Sequence, residues 1–297
     1  MKKILIAGGS GFIGQALTSL LLNEGYEIVI LSRHPKMSPH LNVTYFYWNI
    51  DEAIVDVEAF EGVDVIINLT GENVGAKRWS VSQKQAIIAS RVESAKLLFQ
   101  AVSMMKDPIK LYISASATGY YGTTNSTQIM SEMSAAGSDF LASVCTQWEM
   151  QAKQFEQLDI PTALVRTGVV LQQDKGALKE IMKSQKFGVL FKLGSGKQPF
   201  PWIHIEDLCQ IYLHLIRTSK GGVYNAVAPA IDDFNALLDA IRLSNTTKTF
   251  LLPVPEWILR LALGEMSSIL LKGAFVAPAQ LINEGFHFRY HNLKMLF

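Results

Sequence analysis

The stretch from Lys3 to Gly14, KILIAGGSGFIG, constrains the fold more than any other part of the chain. Its apolar, β-branched opening reads as a buried parallel strand. It runs directly into Gly8, Gly11 and Gly14, spaced G-x-x-G-x-x-G, and then into the helical pattern Phe12, Ile13, Ala16, Leu17, Leu20, Leu21. A strand, a glycine turn and a helix start in that order form a cradle for a pyrophosphate. Gly8 permits the turn, Gly11 the approach of backbone to phosphate, and Gly14 the packing of helix on strand. Ser10, Phe12 and Ile13 complete the turn, whose free N–H groups and helix dipole favour an anion. A glycine turn without a ligand is the alternative, and the flanking strand and helix argue against it.

At 297 residues the chain has room for one large α/β domain and a small appendage, and 49% hydrophobic content is ample for a core. A net charge of +1 argues against a nucleic-acid or anionic-membrane partner. Cys145 and Cys209 sit in helix-like segments without metal-ligand spacing. No metal site is expected, and both read as buried thiols in a reducing cytoplasm. A chain that opens on a core strand leaves no room for a cleavable leader. The apolar stretch from Trp257 to Ala277 is interrupted by Arg260, Glu265 and Lys272, wrong for a membrane span. A cytoplasmic protein is expected.

After the first helix, Gly25 ends the segment and Glu27 to Leu31 reads as the second strand. A dinucleotide fold that prefers NAD places a carboxylate about 20 residues past the glycines, on the ribose hydroxyls. Here the strand ends in Ser32-Arg33-His34, with Lys36 close by and no carboxylate. A guanidinium can bind a 2′-phosphate bidentately where a carboxylate would repel it, so NADP(H) is the expected cofactor. The alternative for Arg33 is an exposed surface arginine. Val43 to Tyr47 reads as the third strand and Asp64 to Leu69 as the fourth, which exits through Thr70-Gly71-Glu72-Asn73. Leu69, Thr70 and Gly71 lie at the carboxyl edge, where such sheets bind ligands. A helix is expected from about Val81 to Met105, with Ser90 and Arg91 in its middle. Arg91 is either a cofactor or substrate contact or a solvated helix charge. The fifth strand, Lys110 to Ser114, opens into S-A-S-A-T-G-Y-Y-G, ending at Gly122.

The opening glycines, the N-L-x-G after strand four and the S-x-S-A-T-x-x-Y-G after strand five resemble the extended short-chain dehydrogenases/reductases. The motifs N-L-T-G-E-N, K-R-W-S, D-F-L-A-x-V-C-x-x-W-E, V-R-T-G-V-V-L and P-W-I-H-I-E-D together resemble one atypical subgroup, the epimerase family (nucleoside-diphosphate-sugar epimerase-like) proteins. The resemblance spans essentially the whole chain, and its specificity lies in the order of the motifs. It implies an α/β fold, a doubly wound parallel Rossmann sheet with a smaller C-terminal substrate lobe. The implied division is an NAD(P)-binding domain over 1–245, with a lobe drawn from 172–230, and a small C-terminal domain over 246–297.

Ordinary members of the superfamily transfer protons through a serine or threonine, a tyrosine and a lysine. Ser116 matches the serine. On the next helix, Asp139 to Glu149, Phe140 or Leu141 stands at the tyrosine's place and Val144 or Cys145 at the lysine's; neither moves a proton. The literal Y-x-x-x-K from Tyr290 to Lys294 falls outside the dinucleotide fold. The remaining catalytic candidates are Ser116, Tyr120 and Tyr121, on a loop expected to face the nicotinamide; a plain packing turn is the alternative. Glu132 lies in the neighbouring loop, and Asp139 reads as a helix N-cap.

The sixth strand and its exit, Ile160 to Leu171, should bring Val170 alongside the nicotinamide end. The lobe beyond it includes Lys192, Gly194-Ser195-Gly196-Lys197 and Trp202 to Asp207. Lys192 and Lys197 suit an anionic substrate or a solvated loop. His204 is either an acid/base or an aid to the start of the helix from Ile205 to Arg217, whose first turn carries Glu206 and Asp207. Gly221 to Ala226 reads as a strand, and Asp232 as the leader of a helix to Arg242. Pro253 and Pro255 read as a linker, followed by an amphipathic helical stretch and an aromatic segment to Tyr290 that docks on the lobe. Two functions are compatible with these features. One is an NADP(H)-dependent oxidoreductase or epimerase acting on a small polar or nucleotide-linked molecule, an anion among the options. The other is a non-catalytic NADP(H)-binding or sensing protein.

Overall fold

Strand β1 (Lys3–Ala7) is buried on both faces because its side chains alternate between two hydrophobic layers, Ile4 and Ile6 on one side and Leu5 and Ala7 on the other. In the computed structural model, which describes residues 2–123, 127–244 and 249–297, it lies inside an eight-stranded sheet. The strands that follow are β2 (Glu27–Ser32), β3 (Val43–Asn49), β4 (Ile54–Val55), β5 (Val63–Asn68), β6 (Leu111–Ala117) and β7 (Ile129–Met130). Then come β8 (Thr162–Thr167), β9 (Val169–Gln172), β10 (Val189–Leu193), β11 (Trp202–His204), β12 (Gly222–Ala226), β13 (Phe250–Val254) and β14 (Phe275–Val276). The large sheet has the order β12-β8-β6-β5-β1-β2-β3-β4. Every pairing in it is parallel except β3 with β4. The strand order reverses between β1 and β5, and it is outside the carboxyl ends at such a reversal that open α/β sheets bind ligands.

The helices are α1 (Phe12–Asn23), α2 (Val81–Ser103), α3 (Phe140–Ala152), α4 (Gly176–Met182) and α5 (Ile205–Thr218), then α6 (Phe234–Leu243), α7 (Glu256–Leu263), α8 (Ser268–Leu271) and α9 (Ala279–Asn283). Helices α1 and α5 cover one face of the sheet through Leu17, Leu21, Leu208 and Ile211. Helix α2 covers the other through Leu97, Leu98 and Val102, together with Phe155. This is the doubly wound α/β architecture expected from the sequence. A third cluster, around Leu190, Phe200, Trp202, Phe234 and Leu238, is the core of the lobe. The expected boundary at 245/246 lies outside the described residues. Among those described, no helix is long and apolar enough to cross a membrane.

Four local expectations change. The fifth strand continues to Ala117, so Ser116 stands in a strand rather than a loop. The supposed linker is strand β13, parallel to β10 with Pro253 opposite Lys192. A two-stranded sheet is all edge, so a proline is accommodated there. Asp233, not Asp232, caps α6 by accepting the Ala236 N–H at 2.9 Å, while Asp232 accepts the Trp202 indole N–H at 2.9 Å. The C-terminal aromatics divide between two surfaces: Phe286 and Phe288 pack on the α1–α5 side of the sheet, and Tyr290 lies over His204, ring centroids 3.7 Å apart. The cause is Asp207 in the first turn of α5, whose carboxylate accepts the backbone N–H groups of Arg289 and Tyr290 at 2.9 Å each. His204 itself accepts the Glu206 N–H through Nδ1 at 3.3 Å, the helix-starting role. Burial holds its imidazole below its usual pKa, against the opposing pull of Glu206 and Asp207.

Candidate functional site

The glycine turn has the geometry its spacing implies. Gly8 has φ +81°, and its carbonyl accepts the Gly11 N–H at 3.0 Å. A Cβ on Gly14 would stand 2.5 Å from the Gly8 oxygen and 2.6 Å from the Gly9 Cα, so helix and turn touch backbone to backbone. Helix α1 follows Gly11, its N-cap residue, with no side-chain cap and no acidic residue in its first turn. Its leading N–H groups are therefore open to an anion. The Gln15 amide pins the loop by donating to the Ser10 carbonyl at 2.9 Å, and Ser10 itself is exposed. Phe12 and Ile13 are half-buried; the Phe12 ring lies against Gly176, at the start of α4.

At the tip of β2, Ser32 Oγ accepts the His34 N–H and donates to the His34 carbonyl, both at 3.1 Å. That brace turns the chain and leaves Arg33 exposed. Among the described residues, no hydrogen bond or ion pair engages its guanidinium. At the tip of β5, the Leu69 N–H donates to Ala7 O at 2.9 Å and the Thr70 N–H to Asn68 Oδ1 at 3.1 Å. Thr70 Oγ1 is buried without a partner. A Cβ on Gly71 would stand 2.9 Å from the Arg91 Cζ, so a side chain there would have to push the guanidinium aside. Arg91 is no solvated charge. Its Nη1 donates to Ile87 O at 2.9 Å and Glu72 O at 3.1 Å, and its guanidinium lies 4.9 Å from the Trp148 ring centre. Burial lowers its pKa from the usual value.

Ser116 and Tyr121 belong to a buried polar network. Glu149 on α3 receives Arg166 of β8 bidentately, Nε on Oε1 and Nη2 on Oε2, both at 2.8 Å. Ser116 Oγ donates to the same Oε1 at 2.7 Å. Arg166 Nη1 donates to the Tyr121 hydroxyl at 3.0 Å, and that hydroxyl donates to Asn225 Oδ1 at 2.6 Å. The guanidinium also stacks 3.3 Å from the centre of the Tyr120 ring. Burial would lower the pKa of Arg166, but the bonds and charge of Glu149 outweigh it and raise the value. Burial raises the Tyr121 phenol, against the cation beside it. The network reaches the C-terminal segment: Asn225 Nδ2 donates to Ala277 O at 2.9 Å, and Glu132 Oε1 accepts the Asn225 and Gln280 N–H groups at 3.1 Å each. Asp139 caps α3 as expected, accepting the Ala142 N–H at 3.0 Å.

Beside this network, at the carboxyl ends of β6 and β8, lies a cavity of about 440 Å³. Ala117, Thr118 and Gly119 form one wall, Leu141, Cys145 and Trp148 of α3 another, and Ile269, Leu270 and Ala274 of the C-terminal segment close it. Leu141 and Cys145 are thus the i, i+4 pair that faces the β6 exit; a Cβ on Gly119 would meet them at 3.3 and 3.6 Å. Burial pushes the Cys145 thiol up to about 12. Ser116, Tyr120 and Tyr121 do not line the cavity. Val169 does, while Val170, one residue on in the strand, packs toward the α1–α5 side. Lys192 and Lys197, expected to face an anionic substrate, form no part of its wall.

The Glu149–Arg166 pair was not anticipated from the sequence. The available signal was an arginine inside the apolar run T-A-L-V-R-T, since a buried charge in a central strand requires a partner.

The NAD dependent epimerase/dehydratase family profile matches residues 4–226, and a domain of unknown function, DUF1731, matches residues 254–296. An epimerase family protein of Staphylococcus saprophyticus is 36% identical over 300 residues, covering 99% of this chain and 98% of that protein. The epimerase family protein YfhF of Bacillus subtilis is 33% identical over 293 residues, covering 98% and 95%. The crystal structure of human epimerase family protein SDR39U1 with NADPH superposes with a TM-score of 0.84 at 29% identity, covering 98% of this chain and 96% of that one.

Proposed function

This chain belongs to the NAD dependent epimerase/dehydratase family, and on that premise we propose that it is an NADP(H)-binding, epimerase-like oxidoreductase working on a small molecule without a Tyr-x-x-x-Lys pair. The observation that carries the reading is the opening turn. Gly14 has no space for a Cβ, and the first turn of α1 is uncapped. With the orphaned Thr70 Oγ1 at the next strand tip and the unpaired Arg33 at the β2 tip, these groups fit a phosphorylated dinucleotide. Gly8, Ser10, Gly11, Phe12, Ile13 and Gly14 would hold the pyrophosphate, and Ser32 and Arg33 the 2′-phosphate. Leu69, Thr70 and Gly71 would line the adenosine side, with Arg91 holding that loop in place. The backbone at Val170, whose side chain packs toward α1 and α5, would flank the nicotinamide end. The human relative's NADPH supports the choice of cofactor.

When bound, the nicotinamide supplies hydride-transfer capacity. The chain's own part is to position a ligand in the cavity and exclude water from it. In this reading Ser116 and Tyr121 hold the β6 exit in shape through Glu149 and Arg166, and Tyr120 seats the guanidinium. A second reading, a non-catalytic NADP(H)-binding protein, is favoured by one specific feature: Leu141 and Cys145, which face the β6 exit, offer neither a phenol nor an ammonium.

Arg33→Ala tests the cofactor assignment. The loss of one or two charge-assisted hydrogen bonds should weaken NADPH by about 1.5–3 kcal/mol each while leaving NADH nearly unchanged. Equal losses for the two coenzymes in fluorescence titrations would remove Arg33 from the 2′-phosphate.

A further inference from the structure

The wall of the cavity identifies the kind of molecule it takes. Among the described residues its ionisable lining is Arg91, Asp139, Cys145, Glu180 and Lys272, which sets two cations against two carboxylates. Most of these groups are already engaged. Asp139 gives one oxygen to the α3 cap and the other to the Thr123 N–H. Glu180 pairs with Lys183 at the surface, and Lys272 is exposed at the rim. Arg91 braces the Gly71–Glu72 loop, on the side assigned to the coenzyme. The one polar amide of the lobe wall, Gln198, donates to Leu193 O and Leu270 O at 3.1 and 2.9 Å. At the start of helix α3 the Asp139 carboxylate accepts the Ala142 N–H, which puts a negative charge where an anion would otherwise approach the helix.

Most of the remaining interior is apolar: Leu141 and Val144 from α3, Ile181 from α4, Phe200 and Phe234 from the lobe, Ile269 from the C-terminal segment. Its neutral polar groups are the hydroxyls of Thr118, Thr123, Thr167 and Ser268 and the Trp148 indole N–H, which is buried without a partner and suits a neutral acceptor. A diphosphate is held by cations and free amides that outnumber local carboxylates, and this wall has no such excess. At about 440 Å³ the cavity is also toward the small end of ligand pockets, roughly 300–1,000 Å³. On the cofactor reading it also takes the nicotinamide end.

We propose that the cavity between α3, the lobe and the C-terminal segment binds an uncharged, largely apolar small molecule rather than a nucleoside-diphosphate sugar. The proposal rests on the cofactor reading only for what shares the cavity; the nature of its wall is independent of it. The C-terminal segment supplies part of that wall, so it is a component of the ligand site.

The test uses the full-length protein. NADP⁺ is titrated first, which reads the cofactor assignment alone. The NADP⁺-loaded protein is then titrated with 2-naphthol, an uncharged fluorescent probe, and separately with UDP-glucose. Saturable 2-naphthol binding is expected, weakened about tenfold or more by Ile181→Glu and by Ile269→Glu, since each replaces apolar wall with a charge that the probe would have to desolvate. NADP⁺ should still bind both variants through its pyrophosphate and 2′-phosphate, which lie away from the cavity, and that binding also verifies their folding. UDP-glucose should neither bind nor displace the probe. Displacement of 2-naphthol by UDP-glucose, or 2-naphthol binding that both glutamates leave intact, would overturn the proposal even with NADP⁺ bound normally. Failure of NADP⁺ itself to bind would overturn the cofactor reading, with the 2-naphthol titration still deciding the cavity.

Discussion

Replacing Arg166 with methionine is expected to lower the stability of the fold by about 3–5 kcal/mol, because it leaves the Glu149 carboxylate buried without its cation. The Glu149 side chain is 6% exposed and that of Arg166 4%, so water cannot substitute for the lost partner. For 297 residues this corresponds to a fall in Tm of roughly 5–8 °C. Arg166→Lys should lie between wild type and Arg166→Met: an ammonium keeps the charge but cannot span both carboxylate oxygens. Glu149→Leu combined with Arg166→Met should recover part of the loss, since it removes the stranded charge as well. Thermal unfolding of the four proteins checks the sequence of effects. An Arg166→Met protein as stable as wild type would mean that the pair does not organise the sheet edge. The consequence reaches further than β8, because Tyr121, Asn225 and Glu132 link the same network to Ala277 and Gln280 of the C-terminal segment. Loosening of that segment should accompany the lost stability, seen as faster amide exchange over residues 277–284.

Gly14→Ala is expected to weaken NADPH and NADH alike. In an ordinary helix, alanine for glycine is favourable by about 1 kcal/mol. Here the added methyl would stand 2.5 Å from the Gly8 carbonyl oxygen, and backbone must move to admit it. The overpacking cost, about 1–3 kcal/mol, falls on the turn that holds the pyrophosphate. Affinity for both coenzymes should therefore drop by roughly 10–100-fold. The contrast with Arg33→Ala is diagnostic: one change acts on the part common to the two coenzymes, the other on the phosphate that only NADPH carries. A Gly14→Ala protein that binds NADPH normally would remove the pyrophosphate from the turn.

The glycine turn and the layered sheet were legible because their signals are local. The spacing of Gly8, Gly11 and Gly14 marked the passage from strand to helix, and the unbroken apolar run Ile4–Ala7 read as a strand buried on both faces. The polar network was not legible. Ser116 and Tyr121 have the residue types of catalytic groups, and only the fold reveals that Glu149, Arg166 and Asn225 occupy their hydrogen bonds. Tyr121 and Asn225 are 104 residues apart in the chain. Helical spacing allowed either Phe140 or Leu141 to face the sheet; packing against Gly119 decided for Leu141. Pro253 looked like a linker because a proline within a strand is tolerated only at an edge, and edge status is a tertiary property. The seat of the C-terminal aromatics depended likewise on Asp207 receiving N–H groups from residues 82 and 83 positions later.

Titration calorimetry of the purified protein with NADPH and NADH in parallel tests the cofactor account most directly. One site per chain is expected, with NADPH bound at least tenfold more tightly, about 1.4 kcal/mol, through the 2′-phosphate. Indistinguishable affinities, or no heat with either coenzyme, would contradict it.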